Sequence, residues 1–587
     1  MRAHATRSSF VVLAVLAGAV VAAALPAQLP VPYAQTPDYE SDKTGVSTGG
    51  TFADINGDGW PDLVIANGND ILRQPVVVYL NRGDGTFPTS PDWTSSDIDY
   101  HGHLDVGDVN GDGWPDVAVS VFLGPNGFRD PGCAKLYLND GKGTLGRAPA
   151  WTSADRFFSF SLALGDVDGD GDLDLVVATG EPYQNPPDFD RIYFNHGGVL
   201  ATLPAWKSAA ATHTLDVGCA DVDGDGHLDL AFVGARGPNL LYLNQSGAIP
   251  TVASWASADG GTRHNGNSLA FGDVDGDGRI DLGVSDNGQL GGRGTFRVYR
   301  NLGGTFTTTP WWESVKFHNG YTSALAFLDF DRDGDLDLVG GGWWTQTAWY
   351  VSAAGALPTL PGWETAGTSV VEALFFADVN RDGLRPVAGE AKAVGGGRKL
   401  FGFDRRPVES LVAVVADGVA LKPHEYAFHR EGGWISLRTA PAQSLTLDYV
   451  TTEAADLGVS NWDQDRGNYV FRRDPPVRLT ITPPPKSQFR GGEVVRWSDD
   501  FQVTVMTPQR ALYRSFLDLP ASYGTLPLLF GAAVVPGGWG TPLPLVLPVP
   551  SPFPPVLLGK FTYRAEVLGP DYVTVISRDS FSFEVVP

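Results

Sequence analysis

The chain has 587 residues, a formal net charge of -25 and 43% hydrophobic residues. It is too long for a single hydrophobic core, and its length predicts two to four domains, of which we expect three. The acidic excess argues against nucleic acid and against anionic membrane surfaces as partners, because both select for clustered lysine and arginine. Cations are the more natural partners of such a chain.

Residues 1–27 have the pattern of a signal peptide. Two arginines within Met1 to Arg7 precede an apolar run from Phe10 to Ala24. The run is short for a bilayer span, and small residues near Ala24 and Ala27 offer cleavage positions. We therefore expect a secreted, extracellular protein without membrane insertion.

An acidic segment recurs seven times, with its first aspartates 49 to 58 residues apart. The first copy is Asp54 to Asp62 and the last is Asp378 to Pro386. Each copy lies between two short apolar stretches, a third apolar stretch follows, and a fourth surrounds an aromatic residue such as Trp151. Four strands per unit and seven units predict a β-propeller.

The seventh unit lacks a tryptophan segment, but Pro37 to Asp42 matches that segment with Tyr39 in place of tryptophan. We therefore expect an N-terminal strand to complete the last blade and remove an exposed sheet edge. The predicted fold class is all-β. A seven-bladed β-propeller over residues 28–404, with N-terminal strand closure, is followed by two small β-sandwich-like domains, residues 405–476 and an immunoglobulin-like domain at 477–587. Cys133 and Cys219 fall in non-adjacent blades, so we expect no disulfide.

The acidic loops have the ligand pattern of a calcium site. Carboxylates at loop positions 1, 3, 5 and 9 suit a hard cation with six to eight oxygen ligands, and the residue at position 7 can add its backbone carbonyl. Six sites are predicted, with these residues: Asp54, Asn56, Asp58, Trp60, Asp62; Asp108, Asn110, Asp112, Trp114, Asp116; Asp166, Asp168, Asp170, Asp172, Asp174; Asp221, Asp223, Asp225, His227, Asp229; Asp273, Asp275, Asp277, Arg279, Asp281; Asp329, Asp331, Asp333, Asp335, Asp337.

The alternative is a set of hairpins rich in Asp and Gly because such residues make turns. Turns need one or two such residues, whereas the six loops place 22 carboxylates at the four ligand positions, where they repel one another without a cation. The seventh loop has Pro386 at position 9 and Arg381 beside its carboxylates. We expect that seventh site to be degenerate, and therefore empty or weak.

Loops on the face opposite the acidic loops are the predicted ligand site, because loops on a rigid ring commonly carry function. The candidates before first strands are His101, His103, His213, His264 and His318, and those after second strands are Phe128, Arg129, Tyr183, Gln289, Trp343 and Trp344. Trp344, His103 and His264 are the strongest of these. The alternative is that the tryptophans pack between blades and the histidines are ordinary solvated loop residues.

The residues around the acidic loops resemble those of a known family. Phe271-Gly-Asp273 and Leu164-Gly-Asp166 each open an Asp-x-Asp-Gly-Asp-Gly-x-x-Asp pattern. This pattern is similar to that of the FG-GAP and VCBS repeat family, whose best-known members are the integrin alpha-chain propellers. The resemblance covers about residues 35 to 405 and implies a propeller with calcium in its loops, but not one particular activity.

Three functions remain open. The first is extracellular binding or adhesion to a glycan or a protein, and the second is polysaccharide degradation by a lyase-like enzyme that uses histidines and a metal. The third is a structural part of a surface layer or matrix. A deep cluster of histidine, arginine and carboxylate would favour the enzyme, whereas exposed aromatic residues in shallow pockets would favour a lectin.

Overall fold

The structure, a computed structural model, describes residues 31–473 except Thr44, residues 259–263 and Gln464, together with strands between residues 478 and 586. Its regular structure is β-strand, apart from one 3-10 turn at Pro423–Glu425. Within this described part, no helix is long and apolar enough to cross a membrane. The prediction of an all-β protein is confirmed.

Six four-stranded antiparallel units follow one another between residues 47 and 364. Their strands are β2 (Ser47–Ala53), β3 (Asp62–Asn67), β4 (Val76–Tyr79), β5 (Trp93–Thr94); β6 (Tyr100–Gly107), β7 (Asp116–Gly124), β8 (Gly127–Tyr137), β9 (Trp151–Thr152); β10 (Ser161–Gly165), β11 (Asp174–Ala178), β12 (Arg191–Tyr193), β13 (Trp206–Lys207); β14 (Thr214–Ala220), β15 (Asp229–Gly234), β16 (Leu240–Tyr242), β17 (Trp255–Ala256); β18 (Gly266–Gly272), β19 (Asp281–Asp286), β20 (Thr295–Tyr299), β21 (Trp312–Glu313); and β22 (Thr322–Leu328), β23 (Asp337–Thr345), β24 (Ala348–Tyr350), β25 (Trp363–Glu364). Each acidic loop joins the first strand of its unit to the second.

A further unit is assembled from distant parts of the chain. Its strands are β26 (Ser369–Ala377), β34 (Asp456–Asn461), β35 (Tyr469–Phe471) and β1 (Tyr39–Glu40), in that order. Tyr39 pairs with Val470, so the predicted closure by an N-terminal strand is confirmed. The first strands β2, β6, β10, β14, β18, β22 and β26 contact one another in sequence, and β26 contacts β2. The ring of a β-propeller is therefore closed.

Tryptophans of the fourth strands link neighbouring units. The indole Nε1 of Trp93 donates to the backbone oxygen of Leu145 at 2.7 Å, and that of Trp206 donates to Ile249 at 2.9 Å. Trp93 also packs edge-on against Tyr137 of the next unit, with ring centroids 5.9 Å apart. The repeated tryptophan is thus an inter-blade contact in these units.

Residues 384–452 form a separate β-domain, here called the insertion, between the first and second strands of the last unit. Its strands are β27 (Leu384–Lys392), β28 (Leu400–Gly402), β29 (Val408–Ala416), β30 (Val419–Ala420), β31 (Tyr426–His429), β32 (Trp434–Leu437) and β33 (Leu445–Thr452). They form two sheets, β27-β33-β29-β30 and β28-β32-β31. Phe401, Ile435 and Tyr449 lie in the core between them.

This arrangement differs from the predicted boundaries at residues 404 and 476. The propeller resumes at Asp456, because Asp456 pairs with Ala377 in the register that the other units use, for example Gly107 with Asp116. The small domain therefore interrupts the last blade instead of following it.

The C-terminal strands form two sheets, β36-β38-β41 and β37-β43-β42-β39-β40. The strands are β36 (Arg478–Thr482), β37 (Gln488–Arg490), β38 (Gln502–Met506), β39 (Ala511–Asp518), β40 (Leu528–Val535), β41 (Pro542–Leu543), β42 (Gly559–Leu568) and β43 (Val575–Val586). The immunoglobulin-like assignment of residues 477–587 stays a prediction.

Candidate metal centres and ligand face

The first aspartate of an acidic loop is held by the backbone of its own loop. In the first loop, the amide of Asp58 donates to Asp54 Oδ1 at 3.0 Å and the amide of Gly59 donates to Asp54 Oδ2 at 2.9 Å. Gly57 and Gly59 have φ values of 71° and 86°, a left-handed backbone that glycine adopts without strain. These glycines let the loop wrap tightly around its carboxylates.

The ninth-position aspartate links three parts of its unit. In the second loop, Asp116 Oδ2 accepts from the amide of Val109 at 3.0 Å, and Oδ1 accepts from the amide of Asn139 at 2.8 Å. The same pair of bonds recurs at Asp62, Asp174, Asp229, Asp281 and Asp337. This residue therefore joins the loop, the second strand and the end of the third strand.

Carboxylate oxygens converge in the third to sixth loops. Ligand atoms lie within 4.8 Å of one another in the sets Asp166, Asp168, Asp174; Asp221, Asp223, Asp225; Asp273, Asp275, Asp281; and Asp329, Asp331, Asp333. Asp168 and Asp170 also form such a set with His196. The first and second loops have Asn56 and Asn110 at position 3, so an amide oxygen replaces one carboxylate there.

The donor set fits a hard divalent cation. Asp273 Oδ1 and Asp329 Oδ1 are buried without a hydrogen-bond partner among the described residues, and a cation would supply that partner. Burial, followed by neighbouring carboxylates, raises the pKa of Asp229 to about 8 and that of Asp337 to about 9. A bound cation opposes such shifts because it favours the charged carboxylate.

The variable residues at position 7 take part through their backbone. The amide of Trp60 donates to Asp58 Oδ1 at 2.9 Å, and the amides of Trp114, Asp172, His227, Arg279 and Asp335 make the same bond in their loops. The side chains at position 7 take no part in this shared bond. That of Trp60, for example, lies with its ring 5.4 Å from the guanidinium of Arg381. This explains why position 7 tolerates such different residues.

The seventh loop is more complete than its sequence predicted. The amides of Asp382 and Gly383 donate to Asp378 at 3.1 Å and 2.9 Å, as in the first loop. Asp456 takes the place of the ninth-position carboxylate, because its Oδ2 accepts from the amide of Val379 at 2.9 Å and its Oδ1 from the amide of Arg473 at 2.7 Å. Pro386 was therefore the wrong residue to compare with the other loops.

A signal for Asp456 is present in the sequence. Residues 456–460 read Asp-Leu-Gly-Val-Ser, the same five residues as 281–285 after the fifth loop. An interruption of 72 residues between Gly383 and Asp456 separates the two parts of the pattern. A search of contiguous loops therefore passes over Asp456.

The insertion covers part of the acidic-loop face. Arg438 Nη2 donates to Asp166 Oδ2 at 2.8 Å, Ser436 donates to Asp221, and Thr452 Oγ1 donates to Asp378 Oδ2 at 2.8 Å. Trp434 and Leu400 pack in one apolar cluster with residues of the fourth and fifth units. The insertion is thus docked on the loops by both polar and apolar contacts.

The insertion also lines one end of the central channel. A cavity of about 600 Å³ is lined by all seven first strands and by Phe428 to Glu431 and Trp434 of the insertion. It contains His103, Asp216, His429 and Arg430. Asp216 already accepts hydrogen bonds from Ser161 Oγ at 2.6 Å and from the amide of Leu269 at 2.8 Å.

The aromatic candidates gather at the opposite end of the channel. Trp343, Trp344, Tyr183 and Gln289 line a pocket of about 180 Å³ there. Trp344 is 48% exposed and Tyr183 is 47% exposed. The backbone of Trp344 has a φ of 56°, which is uncommon for a bulky residue. This end of the propeller therefore presents aromatic surface to solvent.

The structure does not bring the predicted histidines to this pocket. His101 and His264 are fully buried, and their rings contact Asn67 O at 2.5 Å and Asn239 Oδ1 at 3.0 Å. His103 lies in the channel cavity, His318 bonds to Glu364 at 2.9 Å, and His213 does not line the pocket. The side chain of His264 is buried and that of His103 faces the channel cavity, so neither reaches this pocket, and a ligand role for them stays a prediction.

Glu372 and Trp462 are among the pocket residues that were not predicted from the sequence. Glu372 lies in β26 with 1% exposure, and Trp462 follows β34, the second strand of the interrupted unit. Trp462 thus has the same place in its unit as Trp343 and Trp344 have in theirs. It could have been found only by recognising that the blade resumes at Asp456.

Comparison with known proteins identifies the repeats. The FG-GAP-like repeat family matches residues 54–119, 121–177, 221–284 and 289–340. Human integrin alpha-7 is 30% identical over 140 residues, which are 22% of this chain and 11% of integrin alpha-7. The chain thus matches only a small part of that relative.

Two solved structures align with this chain at low structural similarity. The crystal structure of BBS1N in complex with ARL6DN has a TM-score of 0.38 and 12% identity, and it covers 70% of this chain and 98% of that chain. The computationally designed Ika8 protein has a TM-score of 0.38 and 11% identity, over 75% of this chain and 99% of that chain. The chain therefore contains FG-GAP-like repeats within residues 54–340, and its described strands form a β-propeller.

Proposed function

We propose that this protein is a secreted, calcium-binding propeller that binds an extracellular glycan or protein through the face opposite its acidic loops. The similarity to part of integrin alpha-7 supports an extracellular binding role. The calcium proposal rests on the converging carboxylates of the acidic loops. Affinities of about 0.1 to 1 mM would suffice outside a cell.

The observation that carries the ligand proposal is the difference between the two faces. The acidic-loop face is partly covered by the insertion, whose Arg438 and Ser436 bond to loop aspartates. The opposite face leaves Trp344 and Tyr183 half exposed around a pocket. Exposed aromatic residues at a concave site favour ligand binding over a purely structural role.

The enzyme alternative would use the channel cavity, where histidine, arginine and carboxylates occur together. The carboxylates there are engaged in holding the ring: Asp105 accepts from the amides of Leu164 and Val106, both at 2.8 Å. Asp216 is likewise bonded to neighbouring first strands. This arrangement favours a structural role for the cavity, and binding remains the function that the geometry supports best.

A binding screen tests the proposal. Wild-type protein, Trp344→Ala and Trp311→Ala would be applied to a glycan array and to a panel of extracellular proteins, in calcium and in a chelator. Trp311 is a matched control, because it is 42% exposed on the acidic-loop side beside Arg300. We expect Trp344→Ala alone to lose the captured ligand at an unchanged melting temperature. Retained binding by Trp344→Ala, or loss by Trp311→Ala, would place the ligand elsewhere.

A further inference from the structure

The pocket at the open end of the channel is an aromatic enclosure. Six aromatic side chains line it: Phe122, Phe160, Tyr183, Trp343, Trp344 and Trp462. The rings of Trp343, Trp344 and Trp462 lie 5.9 to 6.4 Å apart, with planes inclined by 46° to 78°. Rings in such different orientations surround a small volume and do not form one flat platform for a sugar ring.

A buried carboxylate lies at the base of this enclosure. Glu372 is 1% exposed, and its Oε1 accepts a hydrogen bond from Trp343 Nε1 at 2.7 Å. Its Oε2 is buried and makes no hydrogen bond of ordinary geometry within the described part of the chain. A carboxylate this deeply buried is costly when its charge is not compensated, so the site favours a ligand that supplies positive charge.

No positive side chain fills that role from within the protein. Among the described residues that line the pocket there is no arginine, lysine or histidine, and the other charged residue there is Asp70. Burial, only partly offset by the indoles of Trp343 and Trp462, raises the pKa of Glu372 to about 8. A bound cation would oppose this shift because it favours the charged carboxylate, and the pocket is lined by aromatic rings that attract a cation.

We propose that this pocket binds an alkylammonium group, enclosed by Trp343, Trp344 and Trp462 and paired with Glu372. The proposal rests on the proposed function, because it specifies the chemistry of the ligand on that same face. An ammonium over aromatic faces is attracted by the ring quadrupoles, most strongly when it is desolvated. The group can belong to a small molecule or to a lysine-type side chain of a protein, and the shared chemistry is the same.

The experiment compares a cation with its neutral isostere. Choline and 3,3-dimethylbutan-1-ol would be titrated into the full-length, calcium-loaded protein by ligand-observed NMR. We expect choline to bind at least about tenfold more tightly, because the isostere has the same shape without the charge. Equal binding of the two compounds, or no binding of choline, would overturn the proposal.

Variants assign the effect to the pocket. Trp344→Ala and Glu372→Gln should each weaken choline binding about tenfold or more, whereas Trp311→Ala and Asp84→Asn, on the acidic-loop side, should leave it unchanged. Asp84 is a suitable charge control because it is exposed. Trp344 is half exposed, so its variant tests the site even if Glu372→Gln fails to fold. Unchanged binding in Trp344→Ala would contradict the assignment.

Two further probes serve two purposes. One shows whether the ammonium group belongs to a protein or to a small molecule, and the other separates failure of the ammonium proposal from failure of the proposed function. Tighter binding of a trimethyllysine peptide than of choline would indicate a protein ligand, and the reverse order would indicate a small molecule. Binding of methyl glucoside without binding of choline would overturn the ammonium proposal, yet it would leave a ligand on this face. Loss of the screened ligand in Trp344→Ala would still support the proposed function in that case.

Discussion

At the scale of single residues, a buried aspartate at the start of each second strand holds its unit together. Asp116 and Asp456 each accept one backbone amide from the acidic loop and one from the chain after the third strand. Hydrogen bonds to a charged acceptor are stronger than neutral ones. Asp456 therefore joins the acidic loop of the interrupted blade to the chain after its third strand, although the insertion separates Asp456 from that loop in sequence.

Substitution of Asp456 tests this role. In wild type, both carboxylate oxygens of Asp456 accept a backbone N–H. In Asp456→Asn, the amide NH2 would face one of these N–H donors and leave it without an acceptor, so we expect the free energy of unfolding to fall by about 1 to 3 kcal/mol. Urea unfolding in saturating calcium would measure it. Asp465→Asn is the control, because Asp465 is exposed in a nearby loop. Equal stability of the two variants would refute the structural role.

The pKa of Glu372 predicts a dependence of stability on pH. Burial raises this pKa from 4.5 to about 8, so between these values the folded state binds more protons than the unfolded state and stability falls as pH rises. Glu372→Gln removes this effect. As the pH rises from 5 to 8, the free energy of unfolding of the variant should therefore increase relative to that of wild type, by at most about 1.4 kcal/mol per pH unit. Asp70, Glu181 and Tyr183 are the neighbouring titratable groups and are unchanged in both proteins.

Urea unfolding of both proteins at pH 5, 7 and 9, in saturating calcium, measures that difference. A stability difference between wild type and Glu372→Gln that stays constant across these pH values would show that the carboxylate is not perturbed in the folded protein.

At the residue level, a site can be predicted from sequence where its pattern is contiguous. Asp54 to Asp62 can be recognised because its ligand residues and glycines are adjacent, and the glycines require no knowledge of distant contacts. His264 could not be placed in this way. Its loop was assigned to the correct side, but its ring contacts Asn239, directly before β16, and Arg297 of β20, which are distant in sequence.

At the scale of elements, the N-terminal strand and the insertion both act on the same blade. Strand β1 pairs with β35, and the preceding Tyr33 stacks on Trp349 with ring centroids 5.6 Å apart. The Tyr33 hydroxyl also donates to the backbone oxygen of Ala455 at 2.6 Å. The last blade therefore depends on residues from both ends of the propeller sequence.

Truncation tests this closure. Deletion of residues 28–44 exposes the edge of β35 and removes the Tyr33 contacts, so we expect a lower melting temperature in a single cooperative transition, followed by circular dichroism. A double variant, Tyr33→Ala with Tyr39→Ala, should shift in the same direction by a smaller amount. A truncated protein that melts like the intact one would show that β1 is dispensable for closure.

Element-level prediction was correct for the strands and incorrect for the domain boundary. The apolar runs that begin at Trp434 and Leu445 form strands β32 and β33 within the predicted β-domain. The loss of acidic loops after Asp378 was interpreted as the end of the propeller. Sequence periodicity shows where a repeat stops, but not that β34 and β35 return to complete an earlier sheet.

At the scale of the whole molecule, the candidate cation sites and the aromatic pocket lie on opposite faces of the propeller. The acidic loops lie on one face, where Arg438, Ser436 and Thr452 of the insertion bond to three loop aspartates. The aromatic pocket with Glu372 lies at the opposite end of the channel. This separation means that cation content and ligand binding should respond to different substitutions.

The central claim is that the acidic loops are cation sites, and metal analysis tests it most directly. Protein equilibrated with millimolar calcium and freed of unbound ion would be analysed for bound metal. One site per loop predicts about seven calcium ions per chain, about one fewer in Asp456→Asn, and an unchanged number in Trp344→Ala. A wild-type protein that retains one calcium ion or none would contradict the account.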